Sequence, residues 1–147
     1  MFKQAVKKDD CTFLIESNEN DIQLEFHIYS DNQIDFQKLT QITQLAPTIT
    51  YNKGDLIRIG LYRQEYVWGY HTNHIKSFDI EPALIEIMDK INNPETIAKY
   101  CKKNGYDIKI TIIIREIVDV LAGIHFSKEF IQYCSILGAR VDTDILL

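Results

Sequence analysis

Residues 24–55, LEFHIYSDNQIDFQKLTQITQLAPTITYNKGD, contain a strand, a short helix and a turn marked by proline and glycine, and the rest of the chain lengthens this plan. The strand opens just upstream, where Ile22, Leu24, Phe26 and Ile28 alternate with Gln23, Glu25, His27 and Tyr29. Successive side chains of a strand point to opposite faces, so this spacing predicts one buried apolar face and one polar face. Asp35 then stands as an N-cap ahead of Phe36, Leu39, Ile42 and Thr43, whose steps of three and four draw a single helical stripe. Pro47 ends that helix because its ring cannot continue the hydrogen-bond ladder.

Working outward, residues 1–10 read as a polar leader, and 11–16 (CTFLIE) as a short strand that turns through 17–21 (SNEND) into the strand already described. Residues 56–71 are rich in β-branched and aromatic side chains with a polar break at Arg63 and Gln64, which predicts a hairpin. In it Leu56, Arg58, Gly60 and Tyr62 oppose Ile57, Ile59 and Leu61, and the second arm, EYVWGYH, holds Trp68. From 78 to 91 the period becomes helical, with Pro82 at the first turn and Leu84, Ile87, Met88 and Ile91 on one stripe. Asn93 and Pro94 restart a second helix carrying Ile97, Tyr100 and Cys101, which Gly105 ends in a left-handed conformation.

The run 107–115 (DIKITIIIR) sets Ile108, Ile110, Ile112 and Ile114 inward and Lys109 and Thr111 outward, with Ile113 breaking the alternation. Residues 117–121 and 123–126 read as the turn and return strand of another hairpin, or 117–121 as a helical turn. Ser127 caps a helix whose stripe is Phe130, Ile131, Cys134 and Leu137, Gly138 closes it, and 139–147 form a last strand. Hairpins make antiparallel neighbours and the helical stripes need a shared apolar surface. The expectation is therefore one α+β domain over 1–147, a mostly antiparallel sheet with helices on one face, nearest in plan to ferredoxin-like arrangements.

Composition narrows the function classes. The chain has 46% hydrophobic and 25% charged residues, the balance of an ordinary globular domain with a substantial core. Its net charge of −5 argues against a nucleic-acid or anionic-membrane partner, which would need a positive face. Neither a signal peptide nor an uninterrupted apolar run of about eighteen residues is visible, which places the protein in the cytoplasm. Cys11, Cys101 and Cys134 are widely spaced among apolar residues, as packed, reduced thiols are.

Candidate chemistry is sparse. His71 and His74 (HTNH) can face one metal, yet a zinc site needs three or four ligands and no second pair, cysteine cluster or HExxH supplies the rest. His27 and His125 lie in predicted strands, and Ser127, two residues from His125, is first a helix cap. Asp142 and Asp144 share one strand face and could hold a divalent ion, although such a pair is more often a strand's wet face. Lys53 and Gly54 belong to no phosphate-cradling pattern. Arg58, Tyr62, Tyr66, Trp68 and Tyr70 mix basic and aromatic side chains as single-strand binders do, but equally as cores and protein interfaces do. These residues predict neither a catalytic set nor a cofactor or metal.

Taken together, the strand, helix and turn of 26–55, the tryptophan strand YVWGYHTN, the long helix from Ile80 and the closing GIHFSKEFIQYCSILGARVDTDI resemble the bacterial domain family DUF4279. The resemblance covers nearly the whole chain after about residue 20 and rests on Leu45, Pro47, Thr48, Lys53, Gly54, Asp55, Trp68, Phe130, Leu137, Gly138, Asp142 and Asp144. It implies a fold and carries no activity. A small acidic domain without a catalytic set is expected to work as an immunity protein, occluding a cognate basic, nuclease-like toxin domain through charge complementarity. The contacts expected for that partner are Glu16, Glu19, Asp21, Tyr66, Tyr70, Asp142 and Asp144, on a monomer or homodimer. The alternative is a small-molecule- or peptide-binding module, homodimeric through an exposed edge strand.

Overall fold

The computed structural model of the chain describes residues 4–8, 11–15, 20–115 and 124–146, the first two stretches by their backbone. In chain order the elements are β1 (Gln4–Lys8), β2 (Cys11–Ile15), β3 (Asn20–Ser30), α1 (Phe36–Thr43), β4 (Ile49–Tyr51), β5 (Leu56–Arg58) and β6 (Leu61–Tyr62). Then follow β7 (Tyr66–His71), β8 (Ile75–Ser77), α2 (Glu81–Lys90), α3 (Pro94–Asn104), β9 (Asp107–Arg115), α4 (Lys128–Leu137) and β10 (Arg140–Leu146). The fold is α+β. Its main sheet has six strands in the order β10-β9-β3-β7-β4, with β8 also paired to β3. All of these pairings are antiparallel except β9 with β10, which are parallel and joined through α4.

The long strand β3 is the axis. One edge is paired from Asp21 to Tyr29 with β9. The other edge is shared end to end by β7, which covers Glu25 to Ser30, and β8, which covers Asn20 to Ile22. The predicted alternation holds: Ile22, Leu24, Phe26 and Ile28 are buried on the inner face and meet Ile108, Ile110, Ile112 and Ile114 of β9. Leu39 of α1, Leu84 and Ile87 of α2, Ile97 and Cys101 of α3, and Phe130 and Leu137 of α4 close the same core, so the four helices among the described residues lie on this face. Trp68 is fully buried there, its ring edge on to Phe26 at 89° and its Nε1 donating to Thr40 Oγ1 at 3.3 Å, which ties β7 to α1.

Helix ends follow the sequence signals. Asp35 accepts from the Lys38 N–H and Ser127 from the Phe130 N–H, each supplying an acceptor to an otherwise orphan donor. Gly105 and Gly138 close α3 and α4 in left-handed conformations. Two more ends are closed from neighbouring elements, where Asn93 Nδ2 donates to the Ile42 carbonyl and the Tyr133 hydroxyl to the Ile91 carbonyl at 2.6 Å.

Several expectations on pairing are corrected. The arm 65–71 does not fold back on 56–62; β7 enters the sheet between β3 and β4, while β5 and β6 pair with each other around Ile59 and Gly60. Gly60, at φ +79°, makes that turn possible, so the chain reverses one segment earlier than Arg63. Short strand β8 follows a break the sequence does not announce, and Phe78 stands outside α2. The predicted leader contains β1, which takes β2 as its partner, so β2 is not hydrogen-bonded to β3. The return strand expected at 123–126 is not formed over 124–126, and 116–123 lies outside the described residues.

Candidate functional site

On the outer face of β3, away from the helices, Gln23, Glu25, His27 and Tyr29 project in a row. Glu25 stands directly opposite His71 of β7, and His27 directly opposite Gly69. A Cβ at Gly69 would come within 2.7 Å of His27 Cδ2 and 2.8 Å of the Ile49 side chain, so glycine is required for the imidazole to lie across β7. In that position His27 leans diagonally to His71, with ring centroids 5.2 Å apart and an Nε2 to Nε2 separation of 3.0 Å. The Glu25 carboxylate flanks both rings at 3.8 Å, one oxygen toward each.

The backbone around His71 is held from both sides. Its N–H donates to Thr48 Oγ1 at 2.9 Å. The next residue, Thr72, donates its N–H to the Leu24 carbonyl and accepts the Leu24 N–H on its hydroxyl, both at 2.9 Å. Gln23 Nε2 adds a bond to the Thr72 carbonyl. Thr72, Asn73 and His74 thus span the interval that Gln23 and Leu24 span on β3, a bulge that separates β7 from β8.

Burial holds both imidazoles below their ordinary range. Burial first, then His71, Lys109 and Arg63, lower His27 to about 4. Burial also lowers His71, against the pull of Glu25. Two imidazoles that share one Nε2 to Nε2 hydrogen bond have room for one proton between them, so a doubly protonated pair would place two donors face to face. Glu25 lies beyond hydrogen-bond distance of both rings and accepts no hydrogen bond among the described residues, although its side chain is only 23% exposed. Among those residues Glu25, His27 and His71 form the group of three metal-type donors whose ligand atoms lie within 4.8 Å of one another.

The residues singled out from sequence do not form one surface. His74 turns to Asp21, whose two oxygens lie 3.0 and 3.1 Å from Nδ1, so His71 and His74 serve different carboxylates. Asp21 itself is buried. Tyr66 and Tyr70 lie against the core on the inner face, half-buried. Asp142 is half-buried and bonded to Arg140, and Asp144 is exposed beside it on the edge strand β10. Glu16 and Glu19 lie outside the described residues. The member the sequence reading passes over is Glu25, with His27 weighed only as a partner for a nucleophile. Its signal was the outward alternation Glu25-x-His27, but only the register reveals that His71 is its neighbour.

A second feature lies elsewhere. The β5–β6 hairpin carries Leu56, Ile57, Ile59, Leu61 and Tyr62, all exposed, with Ile59 at 98%. Arg63, just beyond it, is folded down over the Tyr51 ring at 3.5 Å and leaves the apolar tip clear. Grooves of about 490 to 550 Å³ run along α1 and between the ends of α3 and α4, and none is lined by Glu25, His27 or His71.

Among the described residues no helix is long and apolar enough to cross a membrane. The family model described as "Domain of unknown function (DUF4279)" matches residues 20–147. Neither a curated protein nor a solved structure matches the chain.

Proposed function

From a chain that belongs to the DUF4279 family, we propose a non-catalytic binding protein of the immunity type, which docks on a basic protein domain and neutralises it. The observation that carries this reading is the β5–β6 hairpin, five exposed apolar side chains within seven residues. Soluble domains seldom expose contiguous apolar side chains without a partner for them, and a hairpin tip can enter a partner's cleft. The excess of acidic over basic residues, 21 against 16, adds long-range attraction to a cationic partner and accelerates encounter. Sheet-face acids such as Asp142 and Asp144 then act as steering charges, and the hairpin as the anchor.

The test is to identify the product of the adjacent gene and co-express it with this chain, the expected product being a basic toxin domain. The expected result is a complex and protection from growth arrest, both lost on Ile59→Asp while the variant remains folded. Protection unchanged by Ile59→Asp and Leu56→Asp together, or no complex with that product, overturns the reading.

A second reading is favoured by a separate observation. β10 is an edge strand, exposed over most of its length and with Ile145 and Leu146 half-exposed, to which an extended peptide or a second copy could add as a further strand. A concentration-dependent dimer disrupted by substitution in β10 and not in the hairpin would support it in place of the first.

A further inference from the structure

We propose that Glu25, His27 and His71 bind a zinc-class divalent cation on the outer face of the sheet. The proposal is independent of the docking role, because the donors stand on β3 and β7 and none belongs to the hairpin. Two imidazole nitrogens and a carboxylate oxygen are a donor set suited to zinc and neighbouring transition ions, and poorly suited to calcium or magnesium, which take oxygen ligands.

The distances support that choice. With metal bonds near 2 Å, two donors at the corners of a tetrahedron stand roughly 3.3 Å apart. The His27 and His71 Nε2 atoms are 3.0 Å apart and Glu25 Oε1 is 3.8 Å from His27 Nε2, values on either side of that spacing. Although the 3.8 Å approach of Glu25 to His71 is to Nδ1, one ligand atom from each of the three residues lies within 4.8 Å of the others. Small side-chain rotations convert the hydrogen-bonded pair into two ligands aimed at one point. Glu25, half-buried and without a hydrogen-bond donor among the described residues, gains a partner when a cation arrives.

The frame is also built for fixed placement. Glu25 and His27 are two apart on the longest strand of the sheet, His71 is pinned by Thr48 and by the Thr72 bulge, and Gly69 leaves the space the His27 ring occupies. Strand-borne ligands with held backbones lose little conformational freedom on binding. Three half-buried protein donors leave the fourth tetrahedral position for water.

The experiment uses the full chain freed of metal by a chelator and titrated separately with Zn2+ and with Co2+. The expected result is one equivalent bound, a tetrahedral Co2+ spectrum in the visible, and a rise in the melting temperature with Zn2+. His71→Ala and Glu25→Gln should each weaken binding by roughly a hundredfold, while His74→Ala, which removes the other imidazole engaged by a carboxylate, leaves it unchanged. Circular dichroism of each metal-free variant separates lost ligands from lost folding, and the near-isosteric Glu25→Gln serves if His71→Ala fails to fold. Binding that is absent, or that survives in a folded Glu25→Gln variant, or that falls equally with His74→Ala, overturns the proposal.

Discussion

Gly69 shows how one missing side chain organises its surroundings. Any β-carbon there would meet the His27 ring on one side and Ile49 on the other at contacts below 3 Å. Gly69→Ala is therefore expected to destabilise the protein by about 1–3 kcal/mol, the usual cost of overpacking, measured as a lower midpoint in urea at unchanged slope. Stability equal to wild type would show that His27 and Ile49 yield freely. Cys101 and Cys134 are an opposite kind of residue, made inert by cover. Burial pushes the Cys101 thiol up to about 12 and the Cys134 thiol to about 11. Since the thiolate is the nucleophile, both should resist iodoacetamide at pH 8 in the native protein and react once it is unfolded, followed peptide by peptide in a mass spectrometer. Rapid labelling of either in the native state would contradict the packing.

At the scale of elements, period was legible and pairing was not. The alternation in 22–29 revealed which side chains are buried because that depends on one strand alone, whereas in 107–115 Thr111, expected outward, and Ile113 are buried as well, since β9 has a neighbouring strand on each edge. Which strand lies beside which depends on turns, and Gly60 reverses the chain before the polar break at Arg63 that looked like the turn. The same limit hid the cluster: Glu25 and His27 could be placed on one face, but His71 becomes their neighbour only through the β3–β7 register. In HTNH a spacing of three could bring both imidazoles to one metal on a helix, but a bulge occupies 72–74 and sends His74 to Asp21.

Two substitutions separate elements that carry stability from one that does not. Ile110→Ala, in the fully buried row of β9, should cost about 2–5 kcal/mol through lost transfer energy and a cavity. Ile59→Asp, at the tip of β5–β6, should change stability by no more than about 0.5 kcal/mol. Both are read by chemical denaturation. A large loss from Ile59→Asp would mean the hairpin packs on its own chain and is not free for a partner.

For the molecule as a whole, the two faces of the sheet have divided tasks. The inner face is closed by four helices into a continuous core, and the outer face holds the polar cluster beside a bulge. Because one core joins every described helix to the central strands, the family domain over 20–147 should unfold as a unit. Helical circular dichroism and near-ultraviolet signals are expected to give coincident thermal transitions. Separated transitions would divide the core into independent parts.

The chain's single tryptophan lies beneath β7, sealed between Phe26 and α1, on the side of the sheet opposite Glu25, His27 and His71. Its fluorescence should be blue-shifted in the native state and move to the red as the interior opens to water. An ion or partner arriving on the far side meets no indole directly. Emission colour thus reports the integrity of the interior while occupancy is followed by a different signal, and a variant that loses its ligand is distinguished from one that has lost its shape in the same cuvette.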